Sequence, residues 1–172
     1  VSVIGGTAYM SWTPGTNGDI VNYDILEWVP GTGWSSIATV PNTVPMPYAI
    51  PGSLPLSQVK RYKVMSTDSC GNQSSDLLVS AHNNMLLTEN MDPCEGIMRL
   101  RWNQYNGWAG GVKEYRLLAD VTPPGGPTQM GVLLATKAPG DTAFNTRDLI
   151  GGWSYCYYVQ AVEGINAYSF SE

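Results

Sequence analysis

Short segments in which apolar and polar residues alternate run along the whole chain. In the first half these segments are residues 7–12, 21–28, 34–40, 47–50, 59–68 and 75–81. In the second half they are residues 96–102, 112–119, 130–136, 141–146, 154–163 and 167–172. Clusters rich in Gly, Pro and Asn separate them, and no window has the 3.6-residue period of an amphipathic helix. Short strands at regular spacing with turns between them predict β-sandwich structure.

The two halves of the chain repeat one another at a spacing of about 90 residues, which is the sequence signature of tandem modules. The aromatic residues that correspond between the halves are Trp12 and Trp102, Tyr23 and Tyr115, and Tyr62 and Tyr157. We expect these six side chains to form the cores of two modules, residues 1–82 and 83–172. We also expect the chain to be a piece of a longer protein, with the first strand of the first module incomplete and the last strand of the second cut short.

The repeated residues resemble those of fibronectin type III modules, in which a Trp closes the second strand and a Tyr lies in the third. The run Asp68-Ser69-Cys70-Gly71-Asn72-Gln73-Ser74, followed by His82 and Cys94, resembles a narrower group. That group is the tandem modules of large bacterial surface proteins exported by type 9 secretion, the gliding-motility-associated family. The resemblance implies two tandem fibronectin type III, immunoglobulin-like Greek-key β-sandwiches. It also implies an extracellular location, at the cell surface or secreted.

Composition and charge narrow the possible partners. Charged residues make up only 13% of the chain, its net charge is −5, and it contains no long run of Lys or Arg. Phosphate backbones require clustered cations, so we expect no nucleic-acid partner. The apolar runs are only a few residues long, so we expect no membrane insertion either.

The three cysteines are interpreted through the strand directions that the resemblance implies. Cys94 and Cys156 would lie at the same pole of the second module, and we predict a disulfide between them. Such a bridge would contribute about 4 kcal/mol in the chain-entropy model. Two buried thiols are the alternative. Cys70 would lie at the opposite pole of the first module, either unpaired or paired with a residue upstream of Val1.

The sequence contains no recognised catalytic or cofactor-binding motif, and we predict a protein that is not an enzyme, with no cofactor and no metal site. His82 is the single histidine, which rules out a multi-histidine metal site. We interpret it as a hydrogen-bonding hinge residue at the module junction. A calcium ion at that junction is a weaker alternative, and a glycosidase-like pair of carboxylates is not excluded.

Surplus aromatic residues are the most suggestive functional feature. Beyond the two core tryptophans the chain has Trp28, Trp34, Trp108 and Trp153. Cross-strand packing explains most such residues in β proteins. Trp108, in a glycine-rich loop, is the best candidate for contact with a ligand, together with Trp34.

Two residues are candidates for glycosylation. Asn72 lies in an Asn-x-Ser acceptor sequence. Thr142, in Asp141-Thr142-Ala143, resembles the O-glycosylation acceptor used in the same bacterial group.

The function that these observations favour is a non-catalytic structural spacer in a large extracellular, adhesin-like bacterial surface protein. Its partners would be neighbouring modules of the same chain. The alternative is an accessory module that binds carbohydrate or protein, for example one attached to a secreted enzyme.

Overall fold

The computed structural model describes residues 1–15, 18–75, 79–164 and 170–171. These residues form fourteen β-strands and no helix, so the predicted all-β class is confirmed. It follows that no helix in the described part is long and apolar enough to cross a membrane. The predicted strands 75–81 and 167–172 lie partly on residues outside the described ranges, namely 76–78, 167–169 and 172.

The chain divides into two compact units that do not follow a single cut in the sequence. Unit 1 comprises Val1–Asn84 and Asn106–Ala109, and unit 2 comprises Met85–Tyr105 and Gly110–Glu172. A four-residue segment from the second half of the chain therefore packs as part of unit 1. The module boundary predicted after residue 82 is not tested by this division into units, and it stays a prediction.

Unit 1 is built from two antiparallel sheets. Its strands are β1 (Ser2–Ile4), β2 (Thr7–Met10), β3 (Ile20–Val29), β4 (Gly33–Pro41), β5 (Tyr48–Ala49), β6 (Arg61–Asp68) and β7 (His82–Asn83). The three-stranded sheet has the order β1-β2-β5, and the four-stranded sheet has the order β4-β3-β6-β7. Ala8 and Met10 from the first sheet pack with Tyr62 from the second. Burying an apolar side chain of this size stabilises the fold by roughly 2 kcal/mol, and the arrangement is consistent with a β-sandwich.

Unit 2 repeats this arrangement strand for strand. Its strands are β8 (Leu87–Asp92), β9 (Ile97–Trp102), β10 (Val112–Thr122), β11 (Gln129–Lys137), β12 (Ala143–Thr146), β13 (Ser154–Glu163) and β14 (Phe170–Ser171). The sheets have the orders β12-β9-β8 and β11-β10-β13-β14. Every second residue of β10 from Tyr115 to Val121 is buried, as the alternation of a strand with one core face requires.

Two strands differ from the predicted pattern. The last strand of unit 1 is β7, at His82–Asn83, and the described residues 79–81 are not in a strand. His82 pairs with Tyr62 in the ladder between β6 and β7, so it is a sheet residue of unit 1, and its role as a hinge stays a prediction. Strand β8 was not predicted, because residues 88–91 are all exposed and do not alternate.

Candidate functional site

The same tryptophan–tyrosine arrangement anchors the core of each unit. Trp12 contacts Tyr23 edge-on with 5.3 Å between ring centroids, and Trp102 contacts Tyr115 in the same way at 5.9 Å. Each tyrosine hydroxyl also accepts a hydrogen bond from a backbone amide three residues after the tryptophan. The Gly15 amide lies 3.1 Å from the Tyr23 hydroxyl, and the Tyr105 amide lies 2.8 Å from the Tyr115 hydroxyl. This arrangement fixes the loop after the tryptophan in both units.

The two remaining predicted core tyrosines differ in their surroundings. Tyr62 is 1% exposed, and burial, followed by the charge of Glu27, raises its pKa to about 12. Tyr157 is half-buried, and its hydroxyl is buried without a hydrogen-bond partner among the described residues. Loss of hydration raises the pKa of Tyr157 to about 12. The neighbouring Tyr155 hydroxyl accepts from the Ile150 amide at 3.0 Å, so Tyr155 is the tyrosine that ties the preceding loop to the sheet.

The Asp-x-Cys-Gly-Asn-x-Ser run forms a turn in which the side chains of Asp68, Asn72 and Ser74 bind within the turn or to the strand before it. The Asp68 carboxylate accepts from the amides of Cys70 and Asn72 at 2.9 and 2.8 Å, and from the Asn72 side chain at 2.8 Å. The Ser74 hydroxyl accepts from the Ser66 amide at 3.1 Å. The hydrogen bonds to its carboxylate lower the pKa of Asp68, with the Asn72 donors as the largest cause. The motif is thus accounted for by turn formation.

The three cysteines are exposed free thiols, and the predicted Cys94–Cys156 disulfide is not formed in the structure. Cys94 lies in the turn between β8 and β9, where its amide donates to the Asp92 carboxylate at 3.1 Å. Cys156 lies on β13, where successive side chains point to opposite faces of the sheet. Val159 and Ala161 occupy the core face. Cys156 therefore points away from the core. A disulfide to the other sheet would need Cys156 to lie on the core face of β13.

The two glycosylation candidates lie in different environments. Asn72 is exposed, but its amide nitrogen is already bonded to Asp68. Thr142 is half-buried immediately before β12, and its carbonyl accepts from the Trp102 amide at 3.0 Å.

Trp108 is half-buried in the segment Asn106–Ala109 that packs with unit 1. The Asn106 amide and carbonyl both bond to Asn83, at 2.6 and 3.3 Å, and they hold this segment in place. The loop that we expected to present Trp108 to a ligand is thus tied to the edge of a sheet.

Trp34 lies on the outer face of the four-stranded sheet of unit 1, directly opposite Trp28 in the ladder of β3 and β4. The two ring centroids are 5.3 Å apart and the ring planes meet at 71°. Tyr23 and Ile25 of β3 are buried on the other face. Trp28 and Trp34 therefore form a ridge of two indoles on the solvent side, which we call the indole corner.

Two cations of β6 accompany the indole corner. The Lys63 amine lies 4.3 Å from the centroid of the Trp34 ring, and the Arg61 guanidinium lies 5.9 Å from it. Lys63 is only 3% exposed, and loss of hydration lowers its pKa. The negative face of the ring compensates part of that loss.

The sequence prediction named Trp34 but missed Trp28, Arg61 and Lys63. The signal for Trp28 was present, since Trp28 and Trp34 flank the tight turn at residues 30–33 and must pair if the turn closes a hairpin. The cations could be placed only once the register of β6 against β3 was known.

Comparison of the chain with known protein-family models and with curated proteins finds no match.

Proposed function

We propose that this chain is a non-catalytic spacer made of two tandem fibronectin type III-like modules in a large extracellular protein. The parent protein would be a bacterial surface or adhesin-like protein of the kind exported by type 9 secretion. Neighbouring modules of the same chain would be its partners. The proposed role depends on the length and rigidity of the two modules, and it assigns no catalytic chemistry to the chain.

The observation that carries this proposal is the duplication. Each unit divides its strands three and four between two antiparallel sheets in the same order, which supports an immunoglobulin-like module. Each unit also repeats the contact between its tryptophan, its tyrosine and a loop amide. Repeats that build the same unit in succession are typical of proteins whose role is to extend.

The use of the carboxylates supports the same proposal. Asp24 accepts from the hydroxyls of Thr39 and Thr67 at 2.5 and 3.4 Å, which ties β3 to both of its neighbours. Glu27 is paired with Lys60 at 2.9 Å. Both acids stabilise the four-stranded sheet of unit 1, as the acids of a structural module are expected to do.

The test is a length-matched exchange in the source organism. In cells that carry a tag N-terminal to the chain, deletion of residues 1–172 should lower the tag's height above the cell surface. Replacement by two unrelated immunoglobulin-like modules should restore the height. The spacer proposal fails if the deletion leaves the height unchanged. The proposed location fails if an antibody to the chain does not label intact cells.

A further inference from the structure

The positive charge of unit 1 is concentrated beside the indole corner. Every Lys and Arg of residues 1–84 falls within residues 60–63, as Lys60, Arg61 and Lys63. Lys60 is neutralised by Glu27 at 2.9 Å. The Arg61 guanidinium and the Lys63 amine lie over the Trp34 ring. Within residues 1–84, this is therefore the face on which an anion would meet positive charge.

Trp28 and Arg61 are the most exposed groups of this surface. Trp28 is 40% exposed, and Arg61 is exposed as well. Lys63 is covered, and its amine lies 4.3 Å from the centroid of the Trp34 ring. The Arg61 guanidinium can bind a carboxylate through two parallel N–H groups.

These groups match a ligand with a flat apolar face and a carboxylate at its edge. A pyranose ring presents C–H groups on its face, which pack against an indole, and a uronic acid adds a carboxylate to its rim. The patch holds too few cations for a dense polyanion such as a nucleic acid. An acidic peptide would satisfy Arg61 but offers no rigid apolar face to Trp28.

We propose that the indole corner and Arg61 bind an acidic polysaccharide, with a sugar ring packed on Trp28 and its uronate carboxylate on Arg61. This surface goes beyond the spacer function and does not depend on it, because a spacer can carry a binding face or lack one.

The experiment uses the whole chain and three oligomers of matched length. Alginate hexasaccharide is the acidic sugar, cellohexaose is the neutral sugar, and hexaglutamate is the acidic peptide. We expect the alginate oligomer to quench tryptophan fluorescence and to bind in calorimetry, with an affinity that falls as salt rises. We expect the other two oligomers to bind at least about tenfold more weakly, a difference of one decade in Kd.

Variants locate the binding. Trp28→Ala and Arg61→Gln should each weaken alginate binding by about tenfold. The matched control is Lys137→Gln, since Lys137 of unit 2 lies 5.2 Å over the Phe144 ring, and its removal should leave binding unchanged. Trp28→Phe serves if Trp28→Ala fails to fold by near-ultraviolet circular dichroism. Arg61→Gln changes an exposed side chain and leaves the core intact.

Four results would overturn the proposal. The first is no binding of alginate at millimolar concentration, and the second is equal binding of cellohexaose, which would remove the role of charge. The third is equal or tighter binding of hexaglutamate, which would make the surface a peptide site. The last is an equal loss in Lys137→Gln and Arg61→Gln, which would reduce the effect to overall charge.

Discussion

Asn84 stabilises unit 1 from inside, at a position that an apolar residue would usually occupy. It is 1% exposed, and its side-chain oxygen accepts from the Lys60 amide at 2.7 Å. Its amide nitrogen donates to the carbonyls of Pro55 and Gln58 at 3.3 and 3.0 Å. One side chain thus satisfies three backbone groups of the loop that leads into β6.

We predict that Asn84→Ala is strongly destabilising. The substitution leaves a partly buried amide and two carbonyls without the partners that Asn84 supplied, and this costs about 2 to 3 kcal/mol. For a unit of this size the thermal midpoint should fall by on the order of 10 °C. Calorimetry would measure the shift, with Asn90→Ala on the exposed strand β8 as the control. A fall no larger than that of the control would show that the loop holds without Asn84.

Asp68, at the end of β6, and Asp92, at the end of β8, each organise a turn and make stability depend on pH. The Asn72 donors lower the pKa of Asp68, and the Glu95 amide and then Arg99 lower the pKa of Asp92. Each folded-state pKa is therefore below its unfolded value. The stabilisation is fully present above the ordinary aspartate pKa of about 4, and it is lost as pH falls through the lowered values.

We predict that Asp68→Asn and Asp92→Asn lower the thermal midpoint at neutral pH, and that the gap to the unmodified chain closes below about pH 4. Thermal unfolding between neutral and strongly acidic pH would measure the gap. Asp141→Asn is the control, because the Asp141 carboxylate accepts no hydrogen bond in the described part of the chain. A gap that stays constant with pH would contradict the assignment.

At the scale of the strand, the face of β13 on which Cys156 lies decides whether it can form a disulfide with the other sheet. Val159 and Ala161 take the core face of β13, so Cys156 must take the other face. We predict that a thiol-reactive dye titrates three thiols in the native chain. Cys156→Ser should reduce the count to two. A native count of one, rising to three only after reduction, would instead mean that Cys94 and Cys156 are paired.

Strands with clear alternation could be predicted from the sequence, and those defined by tertiary contacts could not. Strand β13 has the predicted bounds because its alternate residues from Tyr155 to Ala161 are aromatic or apolar. Strand β8 was missed because its side chains are mostly exposed. Strand β7 was misplaced because its two residues, His82 and Asn83, resemble loop residues until their partners are known.

The candidate site divides in the same way. The pairing of Trp28 with Trp34 follows from a hairpin that the turn residues already indicate. The position of Lys63 over Trp34 brings together two residues that are distant in sequence, so the local sequence pattern could not predict it. The half-buried state of Trp108 depends likewise on hydrogen bonds between Asn106 and Asn83.

For the whole molecule, each of the two compact units is built from two separate stretches of sequence. The segment Asn106–Ala109 belongs to unit 1, although the residues on either side of it belong to unit 2. Gly107 makes this packing possible, since it has a φ of 137° and approaches strand β7 closely. A Cβ there would stand 2.9 Å from the Ala81 carbonyl oxygen and would overlap Nδ1 of His82.

We predict that Gly107→Ala destabilises unit 1 by about 1 to 3 kcal/mol, because it combines backbone strain with overlap. Hydrogen exchange followed by mass spectrometry should show faster exchange at residues 81–84 and in the loop before β6. Gly140→Ala is the control, since Gly140 has open space around it and no positive φ. Faster exchange confined to β9 and β10, the sequence neighbours of Gly107, would mean that the segment belongs with unit 2.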